Sequence, residues 1–96
     1  MEESVRCYLC GRNGSADRLD RHHVFGGSNR KKSEKYGAVV YLCHHDCHIF
    51  GPDAVHNNIE TNRRIQREFQ ARIMREQGWD TERWIREFGR NYAEDM

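Results

Sequence analysis

Ninety-six residues leave room for one domain with a thin core, because only 36% of the chain is hydrophobic and 32% is charged. A net charge of +1 excludes arguing from bulk basicity to a polyanionic partner, so any such affinity must come from how the charges are placed. A chain this lean in apolar residues needs a staple, and Cys7, Cys10, Cys43 and Cys47 can supply one.

The opening Met1-Glu2-Glu3-Ser4-Val5-Arg6 holds two acids and no apolar run, so neither a secretory leader nor a membrane span is expected, and a reducing cytoplasm is. Val5 to Arg12 contains C-x2-C-G, a knuckle in which Gly11 lets the backbone fold around a metal. After the Asn13-Gly14-Ser15 turn, Leu19 to Phe25 predicts a short strand ended by Gly26 and Gly27. A basic, flexible loop with Arg30, Lys31, Lys32 and Lys35 against the single acid Glu34 is expected next. Ala38 to Leu42, apolar and β-branched, predicts a second strand, giving a wide hairpin.

Cys43 to His56 is dense in metal-binding side chains and predicts a short helical turn and a loop. From about Asn57 to Gln77 there is no Gly or Pro, and Ile65, Phe69 and Ile73, with Ile59 and Met74 nearby, form one apolar stripe of a helix stopped by Gly78. Asp80 is the expected N-cap of a last helix, with Trp79 and Trp84 placed as a hydrophobic staple and Gly89 as the end. The stripe is expected to serve as core or as a dimer contact.

Cys7-x2-Cys10 and Cys43-x3-Cys47, brought together across a hairpin, can surround one tetrahedral zinc ion. The expected reducing compartment argues against two disulfides, and a redox C-x-x-C lacks its usual βαβ surroundings. The six histidines, at 22, 23, 44, 45, 48 and 56, bracket the second strand.

The run Leu19-Asp20-Arg21-His22-His23-Val24-Phe25-Gly26-Gly27, followed by Leu42-Cys43 and Cys47-His48, resembles the HNH endonucleases. The stretches Asn29 to Gly37 and Gly51 to Asn57 resemble the phage and prophage-associated branch of that family. Together they cover most of residues 7–57. The resemblance implies a small α+β fold with a zinc-knuckle-stabilised ββα-metal core over about residues 5–57 and helices over about 57–96. It implies an endonuclease that hydrolyses DNA phosphodiester bonds, leaving 5′-phosphate and 3′-hydroxyl ends. On that pattern Cys7, Cys10, Cys43 and Cys47 hold a structural zinc. His22, His48 and His56 hold a catalytic divalent metal (Mg²⁺, Mn²⁺ or Zn²⁺), and His23 is the general base. The chemistry suits such a site, since hydrolysis needs a proton acceptor for water and positive charge at the phosphate.

Adjacent strand residues face opposite sides, so His22 and His23 can serve one phosphate only if the strand ends or is irregular there. Asp20 shares the face of His22 and is an alternative ligand, while His44, four residues before His48, competes with His56. His45 is expected in solvent. Ala38 stands where the family's middle asparagine usually orients the base, which leaves that job to a backbone carbonyl, Asn29 or Asn57.

Arg30, Lys31, Lys32 and Lys35 are expected to contact DNA phosphates. A monomer would nick, whereas a homodimer through the C-terminal helices would cut both strands. The competing reading is a non-catalytic zinc knuckle that binds nucleic acid or protein, for which paired histidines upstream of Cys43 have no use. A metalloprotease is excluded by the lack of a His-Glu-x-x-His helix.

Overall fold

The mostly polar run Leu19 to His23 and the apolar run Val39 to Cys43 flank the basic segment and pair as a hairpin. In the computed structural model, which describes residues 5–95, β1 (Leu19–His23) lies antiparallel to β2 (Val39–Cys43). Leu19 sits opposite Cys43 and His23 opposite Val39. β1 stops at His23, short of the expected Phe25, because Val24 and Phe25 turn into the core, where both are buried. β2 starts one residue later than expected and takes in Cys43.

The expected flexible loop is instead a short helix, α1 (Arg30–Lys35), entered through a 3₁₀ turn at Gly27–Asn29. Tertiary partners order it. Buried Ser33 accepts from Phe25 N–H at 2.9 Å and donates to Phe25 C=O at 2.7 Å, satisfying the backbone where β1 leaves the sheet. Lys32 donates to the Glu87 carbonyl and Asn29 to the Phe88 carbonyl, at the C-terminal end of the last helix.

The 19-residue helix α2 (Ile59–Gln77) begins where Asn58 accepts from the N–H groups of Glu60 and Thr61. Its stripe of Ile65, Phe69 and Ile73 is buried as the period predicts, Met74 is half-buried, and Ile59 lies in solvent. Helix α3 (Thr81–Phe88) is capped by Asp80, which accepts from Arg83 N–H at 2.8 Å, and ends at Gly89. Trp84 stacks on Phe88 at 4.0 Å, and both meet the ring of Phe25 edge-on. Trp79 packs on Tyr36. Each large side chain so buried contributes on the order of 1.5–3 kcal/mol, and this cluster fixes the helical tail against the hairpin.

His44–Ile49 forms a single wide π-helical turn, with Phe50 N–H bonding His45 C=O at 2.9 Å. Gly51 follows because a Cβ there would stand 1.9 Å from the Asp46 carbonyl oxygen, an impossible contact. The chain then doubles back, Val55 N–H bonding Cys47 C=O at 2.9 Å and His56 N–H bonding His48 C=O at 3.0 Å. Among the described residues, no helix is long and apolar enough to cross a membrane.

Candidate functional site

The four cysteines converge from three elements. Cys7 and Cys10 come from the knuckle, which is closed by Gly11 N–H bonding Cys7 C=O at 3.0 Å and docked on β2 by Tyr8 N–H bonding Tyr41 C=O at 2.8 Å. Gly11 adopts φ +82°, the left-handed turn expected of it. Cys43 ends β2 and Cys47 sits on the π turn. All four are free thiols whose sulfurs lie within 4.8 Å of one another, Cys10 and Cys43 at 3.4 Å. Zn–S bonds of about 2.3 Å at tetrahedral angles separate sulfurs by about 3.8 Å, so this set can hold one ion of that kind after small adjustments. Burial pushes the Cys43 thiol up to about 12. Burial also works against Cys7, yet backbone groups of Cys10, Cys43 and Leu9 bring it down to about 6.

A second cluster stands apart from the sulfurs. His22 of β1, His48 of the π turn and His56 of the returning loop bring one ring nitrogen each to within 4.8 Å of the others. Ring centroids are 5.2 Å apart for His22–His48, 5.5 Å for His22–His56 and 4.7 Å for His48–His56. Nε2 of His22 is buried and has no hydrogen-bond partner, a rare state for a polar atom in a folded protein. Burial, reinforced by His48, His56 and His23, lowers the His22 pKa to about 4, and burial with His48 also lowers that of His56. These two imidazoles are therefore neutral at physiological pH, with lone pairs available to a cation. The orphaned nitrogen and the two neutral imidazoles, with His48 beside them, could hold a divalent metal.

Asp20 reaches this cluster from behind. Its Oδ2 accepts from Nδ1 of His44 at 2.6 Å and from Nδ1 of His48 at 2.8 Å. Burial opposes ionisation of Asp20, but the bonds from His44 and His48 outweigh it and hold the carboxyl below its ordinary range. Because an ionised carboxylate only accepts, His48 donates from Nδ1, which leaves its Nε2 for the histidine cluster. His44 is not one of the three converging rings; it shares Asp20 Oδ2 with His48, and its Nδ1 also lies 3.3 Å from Arg18 Nη2. His45 is exposed.

His22, His23, His48 and His56 line an open cleft of about 430 Å³, together with Arg30 and, from α2, Asn62 and Gln66. His23 is the last residue of β1, so the strand ends where the two adjacent histidines must turn toward one cavity. Its Nε2 lies 2.6 Å from Glu34 Oε2. Of the four cations of the basic segment, only Arg30 lines the cleft. Lys31 is exposed, Lys35 lies over the ring of Tyr36 at 5.3 Å, and Lys32 is tied to the end of α3.

Comparison of the chain with protein-family models, with curated proteins and with solved structures returned no match.

Four polar residues of this region carry no role in the sequence expectations: Glu34, Ser33, Asn62 and Gln66. Glu34 had a visible signal, being the one acid among four neighbouring cations. Asn62 and Gln66 share a face of α2 at helical spacing, but nothing in the sequence says that this face looks onto the hairpin. Asn29 and Asn57, expected as substitutes for a missing asparagine, are occupied elsewhere, Asn29 on Phe88 and Asn57 on the carbonyls of Phe50 and Gly51.

Proposed function

We propose that the protein is a metal-dependent endonuclease of the HNH type that hydrolyses phosphodiester bonds in DNA, with a structural zinc at the four cysteines. The single observation that carries this reading is the His22, His48 and His56 cluster with its orphaned Nε2, placed beside His23 in an open cleft and separate from the sulfur set. A knuckle that only bound a partner would have no need of a second, all-imidazole donor set. The resemblance of Leu19 to Gly27 and of Cys47-His48 to HNH sequences points the same way.

A divalent ion bound by the three histidines would supply positive charge to the scissile phosphate and to its leaving oxygen. The chain's own residues do the rest. The cleft is wide and open enough to admit a backbone phosphate, and Arg30 at its rim offers a planar guanidinium to a phosphate oxygen. His23, at the strand end, accepts the proton of the attacking water. Asp20 keeps His48 in the tautomer that presents Nε2. The thiol site clamps the knuckle, the end of β2 and the π turn into one unit, and so fixes where His48 stands relative to His22.

The test is cleavage of supercoiled plasmid by purified protein with Mg²⁺, Mn²⁺ or Zn²⁺, beside a chelator control and the His23→Ala variant. Metal-dependent nicking or linearisation that His23→Ala loses while keeping its fold is the expected result. A zinc-loaded, folded protein that cuts nothing with any of these metals would overturn the nuclease reading in favour of a binding module.

A further inference from the structure

The base of a hydrolase must be held so that one nitrogen faces water and the other is anchored. We propose that Glu34 is the positioning residue of His23, accepting a hydrogen bond from Nε2 and thereby leaving Nδ1 with the lone pair that takes the proton of water. This rests on the nuclease reading and adds to it the group that does the job for which Ala38 has no side chain.

Three observations carry the assignment. The first is geometry, with Glu34 Oε2 standing 2.6 Å from His23 Nε2 while the His23 side chain is 16% exposed. The second is that Glu34 is itself held. Arg21, two residues before His23 on the same face of β1, grips both carboxylate oxygens with its two terminal nitrogens, the bond to Oε1 measuring 2.8 Å. Arg21 first, then His23, draw the Glu34 carboxyl down to about 2. It is an anion at any physiological pH and can only accept, so the ring must donate from Nε2. The third is that α1 cannot drift, because buried Ser33, the residue before Glu34, is bonded to both backbone groups of Phe25. The side chains of Asn29 and Asn57 bond elsewhere.

The step balances with these groups alone. Water forms the new O–P bond and gives its proton to Nδ1 of His23, the P–O3′ bond breaks, and the leaving oxygen takes a proton from solvent. The positive charge that forms on the ring lies against the Glu34 carboxylate, which stabilises it as it develops, and His23 afterwards releases its proton to water.

The experiment uses the whole 96-residue chain, zinc-loaded, and its Glu34→Gln and Glu34→Ala variants, with far-UV circular dichroism as the check on folding. Two-bond nitrogen–proton NMR correlations of the histidine rings, recorded at alkaline pH, report the tautomer directly. His23 should carry its proton on Nε2 in the parent protein and become a mixture of tautomers in Glu34→Ala. On plasmid DNA, kcat should fall by about 10²-fold with KM little changed, and less in Glu34→Gln, whose amide oxygen can still accept. Combined with His23→Ala, neither variant should slow the enzyme further, since both act through one ring. A His23 ring protonated on Nδ1 in the parent protein, or losses that multiply in the double variants, would overturn the proposal. A protein that cuts no DNA removes the proton-transfer role together with the nuclease reading, and the tautomer measurement still decides whether Glu34 sets the ring.

Discussion

The Asp20 carboxylate holds His48 by Nδ1 at 2.8 Å, and the same oxygen takes a second imidazole, His44, at 2.6 Å. A carboxylate behind a metal-ligating histidine fixes the ring and raises its basicity. Asp20→Asn should therefore weaken metal binding at the histidine cluster by roughly 10- to 100-fold and leave the fold unchanged. Calorimetric titration with Co²⁺ or Zn²⁺ into protein whose thiol site is already filled measures this. Unchanged affinity would mean that the Asp20–His48 bond plays no part in holding metal.

His44 and His56 can be separated by stoichiometry. On the proposed reading, His56→Ala removes one of three converging imidazoles and should abolish uptake of a second metal equivalent, whereas His44→Ala removes only a partner of Asp20 and should leave that uptake intact. Metal content after gel filtration, by atomic emission, gives the answer. The reverse pattern would shift the ligand set to Asp20, His44 and His48, which also lie within 4.8 Å of one another.

Cys43 is fully buried between the knuckle and the π turn. With so small a core, an ion held at the thiol site would contribute directly to folding, and Cys43→Ser or a strong chelator should then abolish the cooperative thermal transition seen by circular dichroism. A variant that stays folded and free of zinc would show that packing alone suffices.

Ser33→Ala leaves the N–H and C=O of Phe25 buried without their partner. Such loss costs about 1–3 kcal/mol, read as a lower urea midpoint at unchanged slope. Because Ser33 anchors α1, the same variant should loosen the contact between Glu34 and His23, and on the proposed nuclease reading it should slow cleavage with His23 still present.

Local rules wrote a good part of this molecule. The Cys-x2-Cys-Gly knuckle, the two strands and the capped helices follow from spacing, β-branching and helix-end chemistry, which act within a few residues of chain. Asn58, Asp80 and Gly89 do at α2 and α3 what their side chains, or the lack of one, allow anywhere. Where expectation failed, the competing force was tertiary. Arg30–Lys35 was expected as a flexible loop on the strength of its charges and flanking glycines, but Ser33, Lys32 and Asn29 each find a partner far along the chain, and these bonds make it a helix.

The candidate site divides in the same way. Sequence alone determined the inventory, two thiol pairs and a bracket of histidines, because donor chemistry belongs to the residue and survives any fold. Only the tertiary structure decided which donors meet. The returning bonds of Val55 and His56 to the π turn place His56 beside His48, the turn brings His44 to Asp20, and α1 brings Glu34 to His23 across residues that strand periodicity cannot span. Coordination and hydrogen bonding act over a few ångströms in space, and that distance is set by how distant segments pack rather than by the order in which they are joined.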